Sequence, residues 1–223
     1  MSDSDSFIEE VTEEVRRDRM FLMLKRYGWI GGVAVALIVG GATYREYSQA
    51  QTRAAAEKLG DSIIAALADD ETDKQAEALS GLSAETPGGA AILKMLQAGA
   101  LANNDQAEAA VSLLGEIAVN GDLPLIYRHT ASFKALGLQH DSLSAQDLRL
   151  QYEALAQPGA PLRLLAEEQL ALIDISEGDP ETAISRLQAI LDDAEVTSDL
   201  QDRARQVIVA LGGELQTTIT SQG

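Results

Sequence analysis

The chain has 223 residues, enough for one ordinary domain plus an appendage. It contains no cysteine, which excludes disulfides and thiolate metal sites, and its 4% aromatic content favours closely packed helices over β-sandwiches. The formal charge of -18 sets the bulk of the protein against phosphate backbones, so nucleic acid is not an expected partner.

Residues 1–26 read as a cytoplasmic amphipathic arm. Ser6 and Glu9 have capping-box spacing, Ile8, Val11, Val15 and Leu22 share a helical face, and Glu13 and Arg17 stand in the favourable four-residue order. The arm either lies at a membrane surface or docks a cytosolic partner.

Residues 27–45 are the expected transmembrane helix. Tyr27 to Tyr44 carries no charge, and its eighteen residues rise roughly 27 Å against a hydrocarbon core of about 30 Å. Lys25 and Arg26 at one end and Arg45 at the other can snorkel to close the difference. Tyr27 and Trp29, and on the far side Tyr44, occupy the two boundaries where aromatic rings belong. Five Lys/Arg precede the run and three follow within twenty residues, which places the N-terminus in the cytoplasm and the large domain outside. A cleaved signal peptide, with Gly40 and Ala42 at its processing site, fits less well because the preceding region is long and acid-rich. A buried soluble helix is the other alternative. Gly28, Gly32, Ala36 and Gly40 recur every fourth residue and form a face on which another membrane helix can pack.

Residues 46–214 read as an array of helical hairpins. Pro87, Pro124 and Pro161 are spaced by thirty-seven residues, and the next interval lands on Ser198, a good N-cap. Nine residues into successive units lie Leu59, Leu96, Phe133, Leu170 and Val207; twenty-six residues in lie Leu113, Leu150 and Leu187. These are the expected repeat core. Asp105, Asp141 and Asp179 are expected to cap the second helix of each hairpin. The helices fall at about 46–68, 71–82, 87–103, 105–119, 123–137, 145–156, 161–177, 180–193 and 199–211. Since no hairpin buries its apolar face alone, neighbours must stack. Residues 215–223 form an expected flexible tail.

Little in the chain points to chemistry. Only His129 and His140 are available; His129 reads as a helix-face residue and His140 as solvated. The acidic run Asp69–Asp73 lacks Ca²⁺-loop spacing, and Asp192-Asp193 is unspecific. Glu167 and Glu168 point to different helix faces and form no acid/base pair. No catalytic motif or phosphate loop is present in the sequence, so neither enzyme activity nor a metal or cofactor is expected. What remains is a concave, acidic protein-binding surface suited to a basic or apolar segment.

The acid-rich arm, "LKRYGWIGGVAVALIVGGATYREY", the following "SQAQTRAAAEKLGDSI" and the repeats resemble the ancillary subunit of the Sec translocon, a family of membrane-anchored tetratricopeptide-like proteins. The resemblance implies an all-α protein: one N-terminal transmembrane helix, then a tetratricopeptide-like helical-hairpin solenoid in the periplasm. It implies an adaptor at the export site of the bacterial inner membrane. The transmembrane helix would meet a membrane protein partner, and the repeats would meet periplasmic folding factors. The alternative is a structural accessory subunit of another inner-membrane assembly, such as a respiratory complex.

Overall fold

The computed structural model describes residues 3–69 and 71–214; the side chains of residues 3–24, Tyr27 and Gly28 fall outside that description. The expected tail at 215–223, the side-chain pairings of the arm and Asp70 therefore lie outside the described residues. The described residues are all-α: α1 (Asp3–Leu67), α2 (Thr72–Ser80), α3 (Pro87–Asn103), α4 (Ala107–Ala118), α5 (Leu125–Leu138), α6 (Ala145–Leu155), α7 (Arg163–Ser176), α8 (Pro180–Leu191) and α9 (Ser198–Ala210). The chain forms two compact units, Met1–Lys58 and Leu59–Gly223.

The first unit lies on α1. No proline occurs before Pro87, so nothing interrupts the helical hydrogen bonds through the arm, the apolar run and the segment beyond. The separate helix expected at 46–68 is the last part of this 65-residue helix. The start at Asp3 lies three residues ahead of Ser6, so the helix does not begin at the capping-box spacing. Among the described residues no helix is long and apolar enough to cross a membrane. The described part of the uncharged run is Trp29–Tyr44, sixteen residues.

In the second unit, each helix from α2 to α9 packs on its neighbours in the chain, and α3 also meets α5. Pro87 begins α3 and Pro180 begins α8, where a missing N–H costs nothing. Thr86, Ser144, Asp179 and Thr197 cap α3, α6, α8 and α9, each accepting a backbone N–H with its side chain. Three expectations shift here. Asp105 is not a cap but the turn residue before α4, with φ of 55°. Asp141 yields its role to Ser144, because the α5–α6 connection is longer. Thr197, not Ser198, caps α9. The tight α7–α8 turn uses Gly178 at φ 83°, a region that side-chain-bearing residues rarely adopt.

A repeat register is visible in the second helix of each pair. Seven residues after the first residue of α2, α4, α6 and α8 stand Leu79, Leu114, Tyr152 and Leu187, all fully buried. Each helix then contributes to a local core. One cluster joins Ala66, Leu79, Leu93 and Ala100, and the next joins α3, α4 and α5 around Leu114 and Ala131. A third joins α6 and α7 around Tyr152 and Leu170, and the last joins α7, α8 and α9 around Leu187 and Ile208. Full burial of each Leu or Ile contributes on the order of 1.5–3 kcal/mol.

Of the expected core residues, Leu170 and Leu187 are fully buried, while Leu59, Leu96, Leu113, Phe133 and Val207 are half-buried. Phe133 packs edge-on against Tyr152, with ring centroids 5.7 Å apart. Leu150 is corrected: it is 68% exposed. Helix α6 buries Leu148, Tyr152 and Leu155, and Leu150 lies two residues, roughly 200°, from Tyr152 or Leu148 around the axis.

Candidate protein-interaction site

On α1, the described side chains of the apolar run are exposed on every side of the helix. Trp29, Ile30, Val33, Val35, Leu37, Ile38, Val39 and Tyr44 all lie open, Leu37 at 72%. This part of α1 therefore has no polar stripe to set apart a water-facing side. Thr43, the one hydroxyl within Ile30–Thr43, donates to the Val39 carbonyl at 2.8 Å and so is satisfied on its own helix. A Cβ added at Gly32 or Gly40 would meet nothing within 4 Å, and Ala36 is exposed. The small-residue face is open at these three positions; Gly28 falls outside the described side chains, as does Tyr27. Lys25, Arg26 and Arg45 are exposed at the ends of the run.

In the second unit, two cavities adjoin on α3. One, about 450 Å³, is lined by α3, Leu114 of α4, and Lys134, Gly137 and Leu138 of α5. The other, about 390 Å³, is lined by Leu67, Gln75, Ile92, Leu96 and Lys134 among others. They share Met95, Gly99, Asn103 and Lys134 and form one trough. Small residues at Gly99, Ala102 and Gly137 open its floor, and Leu67, Ile92 and Leu138 are exposed at its sides. Among the described residues no Asp or Glu lines either cavity. The trough is thus lined by apolar and neutral polar residues with one cation, which differs from the acidic concave surface expected from net charge.

The electrostatics of α6–α9 follow another plan. Asp174 on α7 is 3% exposed and sits between Arg149 of α6 (2.7 Å) and Arg186 of α8 (3.1 Å). Arg149 also binds Glu177, and Arg186 also binds Glu167. Arg203 of α9 forks onto both oxygens of Glu168, at 2.7 and 2.8 Å, and these hydrogen bonds raise its pKa. Arg163 holds Asp193 at 2.8 Å. A backbone N–H from Glu195, and after it Arg163, keeps the Asp193 carboxyl below its ordinary value. Glu167 and Glu168 do reach different neighbours, as their adjacency requires. A further cavity among Arg163, Glu167, Arg186 and Asp193 is therefore lined by charges already paired.

His129 is half-buried on α5; its Nδ1 is enclosed without a hydrogen-bond partner, and burial, then the Arg128 charge, lowers its pKa. His140 is exposed in the α5–α6 turn. Among the described residues no group of three or more His, Asp or Glu side chains is placed to hold a metal ion. Sequence reasoning missed the trough and Asp174. The small-residue spacing of Gly99 and Ala102 on an otherwise apolar α3 was an available signal for the first; nothing local signals the second.

No protein-family model, curated protein or solved structure matches the chain.

Proposed function

We propose that the protein is a membrane-tethered protein–protein interaction adaptor. A single transmembrane helix from Tyr27 to Arg45 holds a tetratricopeptide-like solenoid on the periplasmic side of a bacterial inner membrane. The observation that carries this reading is the run of exposed apolar side chains around α1, with its hydroxyl satisfied internally. Counted from Tyr27, the uncharged run is eighteen residues, within the length range of a membrane-spanning helix, and charged residues flank both ends. The nearest-neighbour packing of α2–α9 and the recurring buried position support a stacked repeat, an architecture whose use is binding other proteins. The sequence resemblance to the translocon ancillary subunit supports a role at the protein-export site. There the Gly32–Ala36–Gly40 face meets a translocon helix, and the solenoid meets periplasmic folding factors.

Carbonate washing of membrane vesicles tests the anchor: the intact chain stays in the pellet, and release into the supernatant contradicts the reading. A photo-crosslinker at Ala36 tests the partner. Capture of a translocon helix supports the export-site role; capture of a respiratory-complex subunit replaces it with an accessory-subunit role.

A further inference from the structure

We propose that the trough along α3 and α5 takes an apolar peptide segment of another protein that carries a single carboxylate, and that Lys134 receives this group. The proposal rests on the reading of the second unit as a protein-binding module and adds to it a position and a ligand chemistry.

The argument is one of charge complementarity. The unit from Leu59 onward carries nine Lys/Arg against twenty-six Asp/Glu. Seven of the nine cations are ion-paired: Lys74, Lys94, Arg149, Arg163, Arg186, Arg203 and Arg205. Arg128 donates to the Ala118 carbonyl. Of these nine cations Lys134 alone has neither an ion pair nor a hydrogen bond among the described residues, and it lines both halves of a trough with no acid among its described lining residues. A cation left open on a surface so rich in carboxylates lacks a partner because none of the described acids reaches it. Asn103, exposed beside it, supplies a second donor for the same carboxylate.

The rest of the lining sets the remainder of the ligand. Ile92, Met95 and Leu96 offer apolar contact, and the missing side chain at Gly99 leaves depth for a ligand side chain. The surrounding negative field rejects segments with several carboxylates, so the favoured segment bears one and is otherwise neutral or basic. The cavity between α7 and α8 cannot select in this way, because its arginines already hold Glu167 and Asp193.

The test uses the full chain in neutral detergent micelles and three short fluorescent peptides of Leu, Ala and Ser, identical except for a central Glu, Gln or Lys. The Glu peptide binds roughly threefold tighter than the Gln peptide, since Lys134 is exposed and its pairing is screened. The Lys peptide binds least. Lys134→Gln removes the difference between the Glu and Gln peptides. A Cβ at Gly99 meets nothing within 4 Å, so Gly99→Leu fills the trough without a backbone clash. It weakens all three peptides roughly tenfold and leaves the circular-dichroism melt unchanged. Equal binding of the Glu and Gln peptides to the unmodified chain overturns the proposal. So does a Glu preference that survives Lys134→Gln, undiminished binding to a folded Gly99→Leu protein, or no binding of any peptide. Each of these outcomes leaves the adaptor reading standing, because that reading fails instead by loss of the protein from carbonate-washed membranes.

Discussion

Between α3 and α5 the buried surfaces are largely alanine: Ala91, Ala98, Ala110, Ala131 and Ala135 surround a few larger side chains. From α6 to α9 the buried set is dominated by Leu148, Tyr152, Leu155, Leu170, Leu187, Ile190 and Ile208, and arginine–carboxylate pairs tie α6, α8 and α9 each to α7. Among the described residues the only inter-helix ion pair in α2–α5 is Lys94 with Glu116, and it is exposed. One chain thus uses two ways of holding neighbouring helices. Small residues give close approach with little area buried per side chain; long ones give more area, with charged forks fixing orientation. The half held by small residues is the half whose trough has no acid among its described lining residues, whereas the cavities of α7–α9 include Glu195, or Glu167 and Asp193.

The largest effect should come from removing area where area dominates. Leu170→Ala is expected to destabilise the second unit by about 2–5 kcal/mol, whereas Ala131→Gly between α4 and α5 costs only about 1 kcal/mol. Urea unfolding of the full chain in micelles followed at the helical signal measures both, and equal costs would erase the contrast.

Asp174→Asn comes next. It strips Arg149 and Arg186 of their shared buried carboxylate, but each keeps a second acid and is one-quarter exposed, so about 2 kcal/mol is expected. Glu195→Gln, at the 80%-exposed end of the Arg163 pair, should be silent in the same assay.

Acid should loosen the two regions at different pH. His129 has a folded pKa below its ordinary 6.5, so its contribution is complete above that value and is lost as pH falls through the lower folded value. Asp179 is held low by the Thr182 hydroxyl and N–H, and Asp193 by the Glu195 N–H and Arg163. Their contributions persist above about 3.8 and disappear only as pH falls through still lower values. Hydrogen exchange between about pH 7 and pH 5 should therefore show α5 losing protection before α8, and His129→Gln should remove that step. The smallest effect belongs to Leu150→Ser, within about 0.5 kcal/mol because the side chain is already in solvent.

Much of the fold could be read from local chemistry. Pro87 and Pro180 mark two helix starts, and the Asp179 cap lies where a cap was expected. The core register was harder, for a reason visible in the numbering. Helices α4, α6 and α8 begin twenty, twenty-one and nineteen residues after Pro87, Pro124 and Pro161. A fixed count of twenty-six from each proline therefore lands on the buried seam at Leu187, about 100° short of it at Leu113 and about 200° short at Leu150. Counting from each helix's own start recovers Leu114, Tyr152 and Leu187. The Asp174 cluster joins residues from three helices, and the trough needs α3 and α5 side by side. Neither is a property of any local stretch.

The absence of cysteine allows the tether itself to be tested with single introduced thiols. In intact spheroplasts, a membrane-impermeant maleimide should label Val119→Cys, which is 81% exposed on the solenoid, and should leave Leu37→Cys unlabelled. Ser4→Cys should react only after lysis. Rapid labelling at Leu37→Cys, or protection of Val119→Cys until lysis, would contradict a lipid-embedded α1 that carries its repeats outside the cell membrane.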